Sequence, residues 1–502
     1  MRLLLVAFVL AGALAGLAPA ATITGGDRGD RLRGTARGDL ILAGGGRDTV
    51  DARAGNDRIA VQYDGARDNV RCGSGQDVVT ADRVDVVGAD CEVVSRLISR
   101  DASGGTDGQH ETQVEPSALA VGSTIVATFQ SGRRHMGGAN RIGFSTSRDG
   151  GRTWRDGYLP ALTTDSRPPG PAALASDPVV AFDPAHGVWL ISTLAGEPNR
   201  TSLFISRSID GVNWGPPVVA ATFAGSELAF DKNWIACDNW RSSPHRGRCY
   251  LVYTDHLARQ PGLAIQRSDD GGQTWSPEQV VLRGGEAVGV FPLPRPDGSL
   301  AIAFLGEDVV QSVRSTDGGV TFEPAVTIAP YFQRSVRPLR TFPLPTADVD
   351  SRGRLYVAWQ DCRFRAGCPA NDVVLSTSAD GVAWSAPARV TRDGGSDFVP
   401  ALAVDRASGR LALVYHRCVG SPCRVDVLVT TSQDGGASWS SPRLLDAQAM
   451  RTDWMPTTVS GRMLADYVAV VWSRDRAVAV YALASPPRGG EFSQAIAAAR
   501  AP

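Results

Sequence analysis

The chain has 502 residues, with 51 basic and 52 acidic side chains and a formal net charge of -1. That length supports a large core and more than one domain. The balanced charge, with no long run of one sign, excludes a nucleic-acid surface or a polybasic membrane tail. Lys232 is the only lysine, an arginine bias that genome composition accounts for.

The chain opens with "MRLLLVAFVLAGALAGLAPA", an arginine, an apolar run and a small-residue end at Ala18-Pro19-Ala20. This pattern predicts a secretory signal over 1–20, cleaved before Ala21. No later stretch has 18 uninterrupted apolar residues, so no membrane span is expected. Export predicts a secreted, extracellular protein, with attachment to the cell surface as an alternative fate. It also makes disulfides the default for the eight cysteines. They fall into four close pairs: Cys72 with Cys91, Cys237 with Cys249, Cys362 with Cys368, and Cys418 with Cys423. Local pairing is the simplest assignment.

Residues 21–98 carry a short repeat marked by Asp30, Asp39, Asp48, Asp57, Asp68 and Asp77, at steps of 9, 9, 9, 11 and 9. Two residues after each Asp stands an apolar side chain: Leu32, Ile41, Val50, Ile59, Val70 and Val79. One inward apolar residue per nonapeptide predicts a coil, and that coil resembles the RTX-type parallel β-roll. "AGGGRD" and "CGSGQD" resemble the RTX-type calcium-binding unit, whereas "GTARGD" and "DGARDN" lose most of its glycines. The resemblance implies Ca2+ held by Asp48, Asp57 and Asp77. The competing reading is a degenerate roll, capped by the loop between Cys72 and Cys91, acting as a spacer.

From 110 to 500 the chain reads as short β-rich runs punctuated by Gly, Asp and Pro, with no amphipathic helix, which predicts an all-β domain. A second repeat runs through it: "STSRDGGRTW", "RSIDGVNW", "RSDDGGQTW", "RSTDGGVTF", "TSADGVAW" and "TSQDGGASW". Their shared residues, Asp149, Asp210, Asp270, Asp317, Asp380 and Asp434, are 61, 60, 47, 63 and 54 residues apart. Each unit accommodates four antiparallel strands, for example "TFPLPTADVD", "RLYVAWQD", "DVVLSTS" and "ARVT". Repeated radially, such units build a β-propeller. In the turns, glycine supplies positive φ, Asp and Ser bond the turn's own backbone, and the Trp or Phe packs between units. The turns are therefore structural.

These turns resemble the Asp-box of the sialidase/BNR-repeat family, over most of residues 110–500. First strands are expected near Glu115, Asp177, Lys232, Val288, Thr341, Phe398 and Asp466, which favours seven blades over the alternative of six. The last unit lacks a box, and "EVVSRLIS" is placed to supply its fourth strand.

The resemblance places ligand chemistry on the face opposite the boxes. That face collects Arg133, Arg134, His135, Asp255, His256, Asp361, Arg363, His416 and Arg417. Disulfides from Cys362 to Cys368 and from Cys418 to Cys423 are expected to brace loops on it. Acidic strand entries at Glu115, Asp177, Asp231, Asp397 and Asp466, with Lys232 and Arg340, are expected to ring the channel mouth. A carboxylate in this position also serves simply to cap a strand end.

Sialidase chemistry requires three arginines clamping a carboxylate, a tyrosine nucleophile with a glutamate partner, and an aspartate acid/base. The family's Arg-Ile-Pro motif is missing, and Arg141 in "NRIGFS" enters a third strand instead. Tyr467 is the nucleophile candidate by position, against the reading of a packed aromatic. Asp231 and Asp361 are the carboxylate candidates. Arg133, Arg340, Arg363, Lys232, Asp255 and His256 are the candidate substrate ligands. The expected function is an exo-acting glycoside hydrolase on sialylated or related glycans, working as a monomer on a glycan or glycoprotein. The alternative is a non-catalytic glycan- or protein-binding propeller. No cofactor is expected for the propeller.

Overall fold

The computed structural model describes residues 20–101, 107–197, 199–225, 229–256, 262–285 and 287–501. The predicted signal segment lies outside these apart from Ala20. Among the described residues the regular secondary structure is β throughout, apart from a single 3-10 turn at Thr452–Trp454.

The nonapeptide period builds a coil of two parallel sheets. Thr22–Thr24, Leu40–Leu42, Arg58–Val61, Val78–Ala81 and Val93–Leu97 stack in one sheet. Arg31–Arg33, Thr49–Asp51, Asn69–Arg71 and Val86–Val87 form the other. In register, Ile23, Ile41, Ile59, Val79 and Val94 stack on one side, and Leu32, Val50, Val70 and Val87 on the other. One apolar side chain from each nonapeptide thus fills the coil interior. The repeating Asp closes each rung: Asp57 Oδ1 accepts the main-chain N–H of Asp39 at 2.7 Å, and Asp77 Oδ1 that of Asp57 at 2.8 Å. A second ladder runs through Asp48, which accepts from Asp30 N at 2.7 Å and donates its own N–H to Asp68 at 2.6 Å.

The coil is continuous with the larger body. Val93–Leu97 pairs parallel to Val78–Ala81 on one edge and antiparallel to Gln494–Arg500 on the other. The segment expected to complete the last unit does so, as its outermost strand.

Beyond the coil, among the described residues, seven antiparallel units follow one another. Their inner strands are Gln113–Val121, Leu174–Asp183, Phe230–Cys237, Val288–Pro294, Thr346–Val349, Ser396–Val404 and Ala469–Ser473. Each touches the next, and the last touches the first. All seven line one central channel. Antiparallel units whose inner strands touch in turn around a common channel have propeller geometry. The fifth inner strand starts at Thr346 rather than near Thr341, because Pro343 and Pro345 have no N–H to donate to a ladder. Its outermost strand is also shorter than "ARVT", only Ala388–Arg389.

The box turns bond as their residues dictate. Asp149 Oδ1 accepts the N–H groups of Arg152 at 3.0 Å and Thr153 at 2.9 Å, while Thr153 Oγ1 donates to Oδ2 at 2.6 Å. The box tryptophan bridges units: Trp384 Nε1 donates to Ser312 Oγ of the preceding unit at 2.9 Å.

All eight cysteines pair locally, as their spacing predicts. Cys72 bonds Cys91 across the last turns of the coil. Cys237 bonds Cys249, its direct partner on the neighbouring strand of the third unit. Cys362 bonds Cys368 within the loop that follows Leu355–Asp361. Cys418 bonds Cys423 across the hairpin between Leu411–Val419 and Arg424–Ser432. Among the described residues no cysteine is left free for a metal or for redox chemistry.

Candidate functional site

Inner strands enter from the face opposite the boxes, and there five of the seven are bulged. Their registers slip at Val114/Ser117, Ser176/Val179, Asp231/Trp234, Val288/Phe291 and Phe398/Ala401. Within the slips Glu115, Asp177, Lys232, Gly289 and Val399 hold φ of 53°, 46°, 48°, 62° and 48°. A bulge breaks the in–out alternation and re-aims a side chain, and left-handed backbone at a non-glycine residue costs of order 1–3 kcal/mol. Three charged residues accept that strain at one mouth of the channel.

They meet there in a single cluster. Lys232 Nζ lies 2.6 Å from Asp466 Oδ2 and 3.6 Å from Asp177 Oδ1. Arg340 Nε donates to Asp466 Oδ1 at 2.7 Å, and its Nη2 bonds the other carboxylate oxygen. Gln130 Nε2 bonds Glu115 and also reaches Ser176 Oγ at 3.2 Å, while its Oε1 accepts from Arg133 Nη1 at 2.9 Å. Tyr467 is buried, donates to the Pro178 carbonyl at 3.4 Å and packs edge-on against Trp234 at 5.3 Å. Asp177, Lys232, Asp466 and Tyr467 share the wall of one cavity with Trp234, Phe291 and Leu344.

Burial and mutual charge sort the acids into two states. Glu115 is pushed up to about 8, by burial and then by the Asp177 carboxylate, so it carries its proton at neutral pH. Asp466 goes the other way: burial opposes ionisation, but Lys232 and Arg340 outweigh it and hold the carboxyl far below the usual range. Lys232 is held charged against its own burial by Asp177 and Asp466. Asp231 is raised, chiefly by burial, against the opposing charge of Lys232 and with the Asp177 carboxylate adding to the rise. Burial, with Glu115 and Asp177, drives the Tyr467 hydroxyl well above its ordinary value.

Of the sequence candidates, Tyr467, Asp231, Arg133, Arg340 and Lys232 converge on this mouth. Asp361 and Arg363 form a separate pair. Asp361 is fully buried, 2.7 Å from Arg363 Nη2, and accepts from Trp359 Nε1 at 3.0 Å and from the main chain of Arg363 at 2.8 Å and Phe332 at 3.2 Å. Those bonds tie its own strand end to the loop that begins at residue 331. Asp255 is buried at a strand end and His256 is exposed, its N–H bonded to Ala229 O at 2.8 Å. Arg417 is taken up by Asp397 at 2.9 Å. His416 is buried, stacked on Phe398 at 5.4 Å, and neither ring nitrogen has a hydrogen-bond partner. Gln130 and Ser176, which orient Glu115 and Arg133, escaped sequence reading because uncharged strand residues carry no signal of their own.

In the coil, Asp48, Asp57 and Asp77 each keep Oδ2 buried without a partner. Burial raises all three, Asp57 to about 6. Hard carboxylate oxygens of this kind suit calcium chemically. Among the described residues, no three acidic, His or Cys side chains already surround a common point. Main-chain carbonyls would have to complete any shell.

The BNR/Asp-box repeat model matches residues 266–277, the third of the six turns. No curated protein matches the chain in sequence. Among solved structures, a protein of unknown function from Dyadobacter fermentans is 16% identical, covering 67% of this chain and 97% of its own, with a TM-score of 0.46. A Hadza microbial sialidase is 15% identical, over 61% and 64% of the two chains, with a TM-score of 0.42. An α-L-arabinofuranosidase of Fusarium graminearum is 14% identical, over 62% and 90%, with a TM-score of 0.42. At these scores the likenesses decide neither activity nor substrate. Among the described residues no helix is long and apolar enough to cross a membrane.

Proposed function

We propose that this chain is an extracellular glycan-acting Asp-box propeller with an active site at the box-free mouth, working as an exo-acting glycoside hydrolase on sialylated or related glycans. The observation that carries the reading is the convergence, on one mouth, of Tyr467 with the proton-bearing Glu115 and the ion pair Asp177–Lys232. Tyr467 takes the nucleophile's place, and its hydroxyl proton passes to Glu115 in the ionised form that is populated as pH rises through about 8. Asp231, partly exposed and raised by burial, takes the place of the acid/base that protonates the leaving oxygen and then deprotonates water. Arg133 supplies the cation on the Glu115 side.

The same proposal covers the organisation. A signal over 1–20 directs export, a roll over 21–98 precedes a seven-bladed propeller over 110–500, and the two share Val93–Leu97. The protein acts as a monomer. Ca2+ would be held on one edge of the roll by Asp57 and Asp77 and on the other by Asp48, where it would neutralise stacked carboxylates.

One observation favours a second reading, a non-catalytic glycan-binding propeller. Arg340 and Lys232 are both engaged by Asp466, so neither is free to clamp a substrate carboxylate. Hydrolysis of fluorogenic sialoside, arabinofuranoside and uronide substrates separates the two. Turnover abolished by Glu115→Gln and by Tyr467→Phe supports the hydrolase. Absence of turnover at high protein concentration, with glycan binding retained, sinks it in favour of the binding module.

A further inference from the structure

Three phenylalanines on the box-free face remain far more exposed than their apolarity favours: Phe332 at 53%, Phe342 at 40% and Phe364 at 42%. Two are built alike. The Arg340 guanidinium lies 4.9 Å from the Phe342 ring centre, and that of Arg363 lies 5.6 Å from Phe332. Each arginine is fixed by a fully buried carboxylate, Asp466 for Arg340 and Asp361 for Arg363. A buried acid thus orients an arginine, and the arginine steadies a phenyl ring that stays open to solvent.

The two rings mark the ends of one loop. Residues 331–345 run from the outermost strand of the fourth unit, Val326–Pro330, to the innermost strand of the fifth, Thr346–Val349. Three strand spacings separate those positions radially, about 14 Å. Phe342 lies at the inner end, two residues from the arginine that reaches the channel mouth. Phe332 lies at the outer end, where its carbonyl accepts the N–H of Cys362 at 2.8 Å and the Cys362–Cys368 disulfide braces the neighbouring loop. Arg334 and Arg337, both exposed, lie on the loop between them.

We propose that Phe342 and Phe332 are stacking platforms for two sugar rings of one extended, acidic glycan that runs outward from the mouth along residues 331–345. The proposal rests on the glycan reading above and adds to it the length and charge of the ligand. The C–H face of a sugar ring is apolar and packs on an aromatic face, while its hydroxyls stay wet. Arg334 and Arg337 select carboxylate or sulfate groups along the chain. Because a buried acid and its arginine order each platform, and a disulfide braces the loop beside Phe332, little conformational entropy is lost on binding.

The test uses the mature full-length protein on an array of sialylated, uronate-containing and sulfated oligosaccharides graded in length. The expected result is preference for the longer acidic members, with affinity lowered at least tenfold by Phe332→Ala and by Phe342→Ala. Phe332→Trp should retain binding, and the shortest ligands should be indifferent to Phe332→Ala. Both alanine variants change exposed rings and should keep the wild-type unfolding midpoint. Binding that is independent of length, or unmoved in both alanine variants, overturns the track and leaves the mouth intact as a site. Failure of the wild-type protein to bind any member overturns the glycan reading itself, and the track with it.

Discussion

The Asp466 carboxylate joins two cations that approach from different units, and replacing it gives the sharpest measure of the mouth. Its side chain is fully buried, and those of Lys232 and Arg340 are only 10% and 15% exposed. Asp466→Ala strands two buried cations, and breaking a buried pair from one side costs about 3–5 kcal/mol. Asp466→Asn keeps the shape and one acceptor while losing the charge. Hydrogen bonds to charged groups contribute about 1.5–3 kcal/mol, which sets the smaller loss expected of it. The double variant Lys232→Met/Asp466→Ala should recover only part of the alanine loss, because it removes one stranded cation but leaves Arg340, and now Asp177, without a partner. Asp51→Ala, which removes the exposed partner of Arg33 at 3.8 Å, should leave stability unmoved. Urea unfolding midpoints at constant slope provide the assay. The sign with pH is fixed as well: the folded carboxyl of Asp466 titrates below its unfolded value, so its contribution is present above the unfolded range and lost as pH falls. An Asp466→Ala loss below about 1 kcal/mol would refute the picture of desolvated, mutually dependent charges.

Glu115 has the opposite sign: raised to about 8, it contributes stability below the unfolded glutamate range that is lost as pH rises through 8. Glu115→Gln should therefore unfold less readily than wild type at pH 9, and equal midpoints at pH 7 and 9 in both proteins would contradict this. His416 is depressed to about 4 by burial, so its stability is complete above the unfolded histidine range and lost as pH falls toward 4. His416→Phe, which removes two unpartnered buried nitrogens and keeps the stack on Phe398, should raise the midpoint at pH 5 and change it little at pH 8. Millimolar Ca2+ should raise the thermal midpoint at pH 8 more than at pH 5, where protons compete for the Asp57 carboxyl, and Asp57→Asn with Asp77→Asn should erase the effect. A midpoint identical with calcium and with chelator would leave the roll a spacer held by its carboxyl–N–H rungs and the Cys72–Cys91 bond.

What sequence made legible followed from periodicity. A nonapeptide step with one apolar residue has few solutions, and Ile41, Ile59 and Val79 stack in the expected register. Close cysteine spacing worked the same way, since Cys237 with Cys249 and Cys418 with Cys423 each flank the loop that joins two paired strands. Six box turns fix where third and fourth strands meet, which in turn assigns the opposite end to the inner-strand entries. The entry positions were therefore readable, and the sialidase resemblance turned Asp231, Lys232 and Tyr467 at those entries into candidates. Asp361 and Arg363 were nominated by the same rule, since a charged residue at a loop tip looks alike in sequence whether it faces a ligand or its own loop. Partnership separates them: every side-chain bond of Asp361 goes to Phe332, Trp359 or Arg363, in its own strand end and the loop beside it.

The bulges explain why the mouth itself was only partly legible. Strict alternation along "DKNWIAC" assigns Lys232 to one side of the sheet, and the slip between Asp231 and Trp234 changes that assignment. Nothing in the local sequence announces a left-handed lysine, because lysine itself does not favour positive φ and its neighbours Asp231 and Asn233, which tolerate it better, do not take it here. The strain persists because Asp177 and Asp466 hold the ammonium group from two other units. Backbone conformation at Lys232 and ion pairing across the channel are thus one feature, and each removes the freedom the other would need to relax. Lys232→Gly would release the backbone and lose the charge, whereas Lys232→Arg would keep the charge on a longer, planar head in a space that Asp177, Asp466 and Glu115 already crowd. If the mouth is built this way, both substitutions should impair it, through opposite members of the same coupling.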